Sequence, residues 1–345
     1  MAKTTIAIVH GDPAGIGPEL LIKLLSDKKT TDRANILVIG DPKVFLRGEN
    51  TVGYQIENVR HITNIKNLNF SNCNINHLDI NFEGIDGVPT AAVSATGGAS
   101  TIGGLHRALE LSKNGYVAGI VFMPFNKESM HLGGNDFNDE LGYASQFFKL
   151  KTRASEFNFA NGMWNGRVTS HVAMKDVHNL LNEDLICEEI ALTNQTLELA
   201  GYDRPRIVVS AYNPHAGDGG LMGREEIDVI APAIKRMKQK QISVNGPLPA
   251  DTSWLKVRDG EYDAVVTMYH DQGQIAIKLL GFDRGVTILA GFPIPITTPA
   301  HGTAFDIAGQ NKANIVPTQN AFIMAVNMAE HRKSTDGVVS NQNEY

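Results

Sequence analysis

Three histidines stand where apolar runs of the sequence end, and together they could bind a metal ion. His171 follows a β-rich run in GRVTSHVAMKDV, His215 lies among Pro and Gly in IVVSAYNPHAGDGG, and His270 follows an apolar run in AVVTMYHDQG. Ligands of open α/β sheets bind beyond the carboxyl ends of the strands, so functional side chains are expected at these positions. Three imidazoles are enough to hold a divalent ion that keeps an open position for substrate, as in catalytic zinc centres.

A plainer interpretation of each histidine competes with this one. A single histidine near a loop is more often a hydrogen-bonded surface or core residue than a metal ligand. The three residues are far apart in sequence, so the metal interpretation depends on their equivalent positions after strands. The other histidines, among them His61 and His77, have no such setting, and the sequence gives them no function.

Two charged side chains could move a proton in such a site. Lys278 lies eight positions after His270, about two turns if this stretch is a helix. Asp251 lies in the Pro-rich segment GPLPADTSW. Either group could act in a dry cleft, where pKa values shift toward catalytic use. Each could equally be a solvated surface charge.

Two glycine-containing loops could bind a phosphate or a cofactor. GDPAGIGPE joins a strand to a helix and could hold a phosphate at the helix N-terminus, or be a tight structural turn. It is not a dinucleotide fingerprint, because Leu20 stands where the third Gly would be. HGTAFDIAGQNKAN, residues 301–314, has small residues whose backbone donors suit a planar base and a pyrophosphate, or it is a surface loop with a capped helix.

These residues are set in a chain that alternates strand-like and helix-like segments, which predicts α/β layers with parallel pairing. The 345 residues, 42% apolar and 20% charged, suit a globular protein of one large or two medium domains. The net charge of −6 predicts no nucleic-acid partner and no binding to anionic membranes. Two cysteines and no apolar run long enough to span a membrane predict a soluble cytoplasmic protein.

The motifs GDPAGIGPE, SHVAMKDV, NPHAGDGG, GPLPADT, YHDQG and HGTAFDIAG resemble, in order and spacing, the PdxA family of 4-hydroxythreonine-4-phosphate dehydrogenases. The resemblance spans nearly the whole chain. It implies two α/β domains flanking a cleft, as in isocitrate and isopropylmalate dehydrogenases, and a homodimer with shared active sites. The expected domains are residues 1–125 plus 285–345, with the NAD-binding loop, and residues 126–284, with the metal ligands and dimer contacts.

The resemblance also assigns roles to individual residues. It implies that His171, His215 and His270 bind one divalent metal, with one histidine coming from the neighbouring subunit; zinc suits them, and magnesium, manganese or cobalt can serve in related sites. Lys278 then faces the substrate, and Asp271 orients the loop or an imidazole. NAD, rather than NADP, is implied as the cofactor, and its binding residues are His301, Gly302, Thr303, Ala304 and Asn314.

The sequence departs from the family where the family holds the substrate's phosphate. Glu140 and Leu141 stand where the family has His and Thr, Ile296 replaces an Arg, and Thr287 replaces an Asn. The loss of an Arg removes a bidentate donor, and a Glu adds negative charge where a dianion would lie. Both changes oppose phosphate binding, although Lys127 and Arg284 could substitute.

The sequence therefore predicts a metal- and NAD-dependent dehydrogenase that oxidises an unphosphorylated small-molecule substrate, a hydroxy acid or diol, with decarboxylation. The family's own reaction, on 4-phosphooxy-L-threonine, is the first alternative. A metal-dependent lyase that does no redox chemistry, or a binding protein that has lost catalysis, is the second.

Overall fold

The computed structural model describes residues 3–342; for residue 333 and residues 335–342 it describes the backbone alone. Within this part of the chain no helix is both long and apolar enough to cross a membrane. Strands and helices alternate along most of the chain, and the predicted α/β class is confirmed.

In chain order, the strands are β1 (Thr5–Val9), β2 (Asn35–Gly40), β3 (Val59–Ile62), β4 (Ile75–Asp79), β5 (Gly119–Phe122), β6 (Ser155–Ala160), β7 (Met163–Arg167), β8 (Ile207–Ser210), β9 (Val244–Leu248), β10 (Ala264–Thr267), β11 (Val286–Ala290) and β12 (Ile296–Pro299). The helices are α1 (Gly17–Ser26), α2 (Lys28–Thr31), α3 (Pro42–Val52), α4 (Ala95–Lys113), α5 (Lys127–Leu132), α6 (Glu140–Phe148), α7 (Met174–Leu180), α8 (Glu183–Leu199), α9 (Ala231–Gln239), α10 (Ala250–Arg258), α11 (His270–Gly281) and α12 (Val316–Gln342).

The chain divides into two compact units. Unit 1 comprises Met1–Lys149 and Phe292–Tyr345, and unit 2 comprises Leu150–Gly291. The sequence predicts boundaries near residues 125 and 284, and both lie later in the structure. The first lies later because α5 and α6 contact α4: Ser94 N donates to Ser129 Oγ at 3.2 Å, and His106 Nδ1 lies 2.9 Å from the Tyr143 hydroxyl. At the second boundary, β11 pairs with β6 and so stays with unit 2.

Unit 1 contains a parallel sheet with the strand order β3-β4-β2-β1-β5-β12. Its central strands are almost continuous apolar runs, TIAIV in β1 and NILVIG in β2. Helices cover both faces of a parallel sheet, so such strands are buried on both sides and have no alternating polar face. Ile6, Ile8 and Leu37 accordingly have no exposed surface.

Unit 2 has the strand order β11-β6-β7-β10-β8-β9. The pairs β11–β6 and β6–β7 are antiparallel. The strands β7, β10, β8 and β9 are parallel to one another. Its core contains Trp164 and Phe157, both fully buried, and a cluster in which Trp254 of α10 and Ile277 of α11 pack against Val208 and Val265. The parallel strands β7, β10 and β8 are neighbours, so their carboxyl ends meet at one edge of the sheet.

Two helix starts in unit 2 follow from local sequence. α9 begins at Ala231 after a single π-helical turn, and Pro232 lies in its first turn, where a missing N–H costs no hydrogen bond. α11 begins at His270, directly after β10 and a two-residue link. The stretch from His270 to Lys278 is therefore helical, and the two side chains are separated by about two turns of α11.

Candidate active site

The three predicted metal ligands follow three neighbouring parallel strands of unit 2. His171 comes after β7, His270 after β10 and His215 after β8, and the strand order places β10 between the other two. Backbone bonds extend the alignment past the strands, since Val168 N donates to Thr267 O and Thr169 N to Met268 O. The structure thus delivers all three histidines to the same sheet edge of unit 2.

His171 and His270 are close neighbours at this edge. Their ring centroids are 5.6 Å apart, with an angle of 42° between the ring planes. His270 Nδ1 lies 2.7 Å from Asp271 Oδ1, and the His270 side chain is 37% exposed. A carboxylate on one ring nitrogen fixes the proton there and leaves the other nitrogen as a metal ligand. The orienting role of Asp271 stays a prediction, and this contact is the geometry that the role requires.

His215 lies in a loop with unusual backbone geometry. Residues 215–219 all have positive φ, including the non-glycine residues His215 (53°), Ala216 (55°) and Asp218 (43°). The base of the loop is held by the buried Glu226, whose Oε1 accepts hydrogen bonds from Tyr212 N at 2.8 Å and Asn213 N at 2.7 Å. Backbone strain of this kind persists where the surroundings enforce it, and it is common at functional sites.

The donor set fits a divalent transition ion, because neighbouring exposed imidazoles supported by a carboxylate are typical of zinc-class sites. The described residues of one chain do not bring the ligand atoms of His171, His215 and His270 together. Among the described residues, only His61, His77 and Asp79 have potential ligand atoms all within 4.8 Å of one another, and they lie in unit 1. The resemblance places one of the three predicted ligands in a neighbouring subunit, so the three-histidine site stays a prediction.

The two candidate proton carriers are both exposed residues of unit 2. Lys278 lies on α11, with Nζ 6.0 Å from the centroid of the Phe282 ring. Asp251 is in the first turn of α10. Solvent can reach both groups in the chain alone.

The predicted substrate contacts are spread over both units. Glu140 and Leu141 begin α6 in unit 1, where Asp139 caps the helix by accepting a hydrogen bond from Gly142 N at 2.9 Å. Thr287 lies on β11 in unit 2, and its hydroxyl accepts a hydrogen bond from Asn158 at 3.1 Å. Ile296, on β12, is fully buried in the core of unit 1 and offers no donor to an anionic substrate.

The predicted cofactor loop, residues 301–304, contacts the glycine-rich turn of GDPAGIGPE within unit 1. Ile16 N donates to Thr303 O at 3.0 Å, and a Cβ on Gly15 would lie 2.7 Å from the Thr303 Cβ and 2.9 Å from its carbonyl oxygen. Only glycine allows this approach. The two loops singled out in the sequence therefore form one surface.

The histidine of this loop is neutral near pH 7. Burial lowers the pKa of His301, and its Nδ1 lies 3.1 Å from the Gly302 carbonyl oxygen. Asn314 is exposed at the start of α12, where its Oδ1 accepts a hydrogen bond from Val316 N. A neutral imidazole with one N–H already used can offer its other nitrogen only as an acceptor.

A buried ion pair supports the strand that leads to His171. Glu189 of α8 is fully buried and accepts hydrogen bonds from Arg153 Nε at 2.6 Å and from Arg167 N at 3.0 Å. Arg153 also donates to the carbonyl oxygens of Arg167 and Val168. The pair thus ties the end of β7 to α8. The sequence offered no signal for it, because neither residue lies in a motif.

Sequence reasoning also missed a histidine cluster in unit 1. His61 and His77 both contact Asp79, and His10 contacts His77, although the sequence gave His61 and His77 no function. The pairing of β3 with β4 sets His61 opposite His77. Strand order was needed to find this, since the residues are spread over about seventy positions.

Comparison with known proteins places these features in a family. The model for "Pyridoxal phosphate biosynthetic protein PdxA" matches residues 32–327. A Pseudomonas aeruginosa relative named "Putative 4-hydroxythreonine-4-phosphate dehydrogenase 2" is 45% identical over 330 residues, covering 95% of this chain and 97% of its own. "D-threonate 4-phosphate dehydrogenase" of Salmonella typhimurium is 35% identical over 334 residues, covering 95% of this chain and 100% of its own.

Solved structures give the same result. 4-Hydroxythreonine-4-phosphate dehydrogenase from Klebsiella pneumoniae has a TM-score of 0.83 at 35% identity, covering 95% of this chain and 100% of that one. A terephthalate 1,2-cis-dihydrodiol dehydrogenase from Burkholderia xenovorans has a TM-score of 0.66 at 25% identity, covering 95% and 98%. The expected resemblance and the enzyme class, an oxidoreductase acting on CH–OH, are confirmed.

Proposed function

Since this chain belongs to the PdxA family, we propose that it is an NAD- and divalent-metal-dependent dehydrogenase of a phosphorylated hydroxy acid, such as D-threonate 4-phosphate or 4-phosphooxy-L-threonine. The observation that carries the metal-dependent reaction is the histidine edge of unit 2, where the rings of His171 and His270 lie 5.6 Å apart. That the substrate is phosphorylated is inferred from the names of relatives whose alignments cover 95% of this chain.

These relatives favour the alternative from the sequence analysis over its first hypothesis of an unphosphorylated substrate. The buried Ile296 cannot replace the family's Arg as a phosphate ligand. Exposed cations lie at Lys127, at the start of α5, and at Arg284, which is 61% exposed and lies 3.6 Å from Asp283. We assign the phosphate to one of these two side chains.

In this mechanism the chain's own residues bind the metal and move the proton. His171 and His270 would hold the metal with His215, one of the three being supplied by a neighbouring subunit, and Asp271 would fix the proton of His270. When bound, a divalent ion, most simply zinc, would supply the charge that acidifies the substrate hydroxyl. Lys278 or Asp251 then accepts the hydroxyl proton. Residues 301–304 and Asn314 would hold NAD, which when bound would accept the hydride from the same carbon. The 3-oxo acid formed would then lose carbon dioxide.

An exposed apolar surface on α11 supports the shared site. Ile275, Leu279 and Phe282 are 59%, 83% and 52% exposed, on or next to the helix that carries His270 and Lys278. Large apolar side chains grouped in this way are typical of protein interfaces. We assign this surface to contact with a second copy of the chain, which would bring the remaining ligand to each site.

The substrate assignment is tested by matched pairs of compounds. NADH absorbance is measured with D-threonate 4-phosphate and D-threonate, and with 4-phosphooxy-L-threonine and 4-hydroxy-L-threonine, each with zinc, magnesium, manganese and cobalt. We expect kcat/KM to be at least about 100-fold higher for a phosphorylated member, because charge-assisted contacts to the phosphate are lost without it. Equal rates for both members of a pair would contradict the proposal.

A second candidate is oxidation of an unphosphorylated diol acid. It is favoured by the similarity to a terephthalate dihydrodiol dehydrogenase and by Ile296 and Glu140 at the positions of the family's phosphate contacts. The same assay with a cis-dihydrodiol dicarboxylate separates the two candidates. Turnover of this compound, with none of the phosphorylated acids, would establish the second.

We expect Gly15→Ala to raise the KM for NAD at least about 10-fold, with a smaller effect on the KM for the oxidised substrate. The new Cβ would meet the backbone of Thr303 at 2.9 Å, so the loop of residues 301–304 must move. Loss of one or two contacts to the cofactor is enough for a change of this size. Initial rates at varied NAD provide the measurement. Gly87→Ala, where the Cβ meets nothing within 4 Å, is the control for a general glycine effect, and an unchanged KM in Gly15→Ala would contradict the assignment of this loop.

A further inference from the structure

The histidine cluster of unit 1 has the donors of a metal site. His61 lies on the edge strand β3, and His77 and Asp79 lie on its neighbour β4. Asp79 Oδ1 is 2.6 Å from His77 Nδ1 and 2.9 Å from His61 Nδ1. Potential ligand atoms of the three side chains all lie within 4.8 Å of one another. Two imidazoles and one carboxylate on one face are a common ligand set for divalent transition ions.

The protonation states suit metal binding. Burial lowers the pKa of His77 and outweighs the opposite effect of Asp79, so the imidazole is neutral near pH 7. Burial would raise the pKa of Asp79, but hydrogen bonds from His77 and His61 outweigh it and the pKa is lowered. Metal ions bind neutral imidazoles and ionised carboxylates, so these two ligands need no costly change of charge.

A fourth residue orients the cluster from within the core. His10, which follows β1, reaches across β2 to place its Nε2 2.9 Å from His77 Nε2. Gly40 on β2 makes this crossing possible, because a Cβ there would lie 2.5 Å from His10 Nδ1. A metal-bound histidine usually donates its second N–H to a fixed acceptor, and His10 Nε2 can be that acceptor when the His10 ring carries its proton on Nδ1. The ring is fully enclosed: His10 is 4% exposed.

We propose that His61, His77 and Asp79 bind one zinc-class divalent ion, at a site separate from the histidine edge of unit 2. Neighbouring ligand atoms of a tetrahedral zinc site are about 3.3 Å apart, so the present hydrogen bonds must open by less than about 1 Å. His61 can move, since its side chain is 44% exposed and lies on an edge strand. Solvent can then occupy the fourth coordination position.

Binding would change the tautomer of two rings. Without metal, the His77 Nδ1–H donates to Asp79, and His77 Nε2 accepts from the Nε2–H of His10. A metal on Nδ1 would move the proton of His77 to Nε2, which would then donate to His10 Nε2. The proton of His10 would move to its Nδ1, a buried atom that has no hydrogen-bond partner among the described residues. Two protons are thus rearranged within a buried pair while its net charge stays the same.

Cobalt(II) titration tests the proposal independently of the proposed enzyme site. The full-length His270→Ala protein, dialysed free of metal, serves as the background, because its unit 2 site lacks a ligand. We expect one equivalent of cobalt to bind with visible d–d absorption. Adding His61→Ala or Asp79→Asn is expected to raise the Kd at least about 100-fold, whereas adding His178→Ala is expected to leave it unchanged. His178 is the matched control, being an exposed histidine bonded to a carboxylate, Glu225, outside any cluster.

Three outcomes would overturn the proposal. The His270→Ala background could bind no cobalt, His61→Ala could bind it as well as the background does, or His178→Ala could weaken binding as much as His61→Ala. His61→Ala guards against a folding artefact because the side chain is on the surface, and the circular dichroism of the variant is expected to match that of the background. The titration measures cobalt binding and not turnover. If the unmodified protein lacked the proposed dehydrogenase activity, the result of the titration would therefore still stand.

Discussion

Replacing His270 by alanine is expected to lower kcat/KM at least about 1,000-fold and to remove one bound metal ion per site. A fall of this size corresponds to about 4 kcal/mol of transition-state stabilisation, which is within the effect of a metal that acidifies a hydroxyl. The variant should fold normally, because the His270 side chain is 37% exposed and, in the part of the chain that the structure describes, it loses one hydrogen bond, to Asp271. Steady-state rates and metal content after dialysis are the measurements.

Asp271→Asn and His178→Ala are the comparisons for this variant. Asp271→Asn keeps the ligand but weakens its orientation, so we expect a fall in kcat/KM of about 10- to 100-fold. His178→Ala removes an exposed histidine from the same unit and should leave the rate unchanged. If His270→Ala retained both turnover and the full metal content, His270 would not be a ligand and the proposed function would lose its main support.

Replacing Glu189 by alanine is expected to lower the free energy of unfolding by about 3–5 kcal/mol. The fully buried carboxylate binds Arg153 at 2.6 Å and the backbone N–H of Arg167 at 3.0 Å. Its removal leaves a guanidinium that is only 19% exposed without its carboxylate, and it leaves a buried N–H without an acceptor. Urea unfolding followed by circular dichroism measures the change.

Two comparisons separate the ion pair from a general effect on α8. Glu198→Ala removes an exposed glutamate of the same helix, which accepts a hydrogen bond from Asn194, and should change stability by less than about 0.5 kcal/mol. The double variant Arg153→Met/Glu189→Leu removes both charges and should recover much of the loss. A loss below about 1 kcal/mol in Glu189→Ala would mean that the pair contributes little.

The positions of the unit 2 histidines could be predicted because each follows an apolar run, and a strand end is a local property of sequence. The same holds for the helix between His270 and Lys278 and for the loop of residues 301–304. The cluster of His10, His61 and His77 could not be predicted, because it depends on which strands are neighbours. Strand order is set by packing between distant segments, and no local pattern encodes it.

The boundaries of the two units could not be predicted from local sequence for a related reason. The segment that contains α5 and α6 is rich in Gly and Asn, which favours a change of domain. α5 nevertheless packs on α4, and Tyr143 of α6 contacts His106 of α4. The buried pair of Arg153 and Glu189 was equally hidden, because a charged residue in a sequence reads as a surface residue by default. Each of these features is fixed by tertiary contacts that the local sequence does not report.

The left-handed loop around His215 has a consequence for engineering this protein. Each non-glycine residue in that conformation costs about 1–2 kcal/mol, so the loop lowers the free energy of unfolding of the metal-free chain. A screen for heat resistance should therefore enrich glycine at Ala216 and Asp218 early. Glycine at these positions would make the loop more flexible, so the imidazole of His215 would be held less firmly. A parallel screen for turnover should therefore discard the same variants. Thermostable and fast descendants of this sequence are expected to diverge first at this turn.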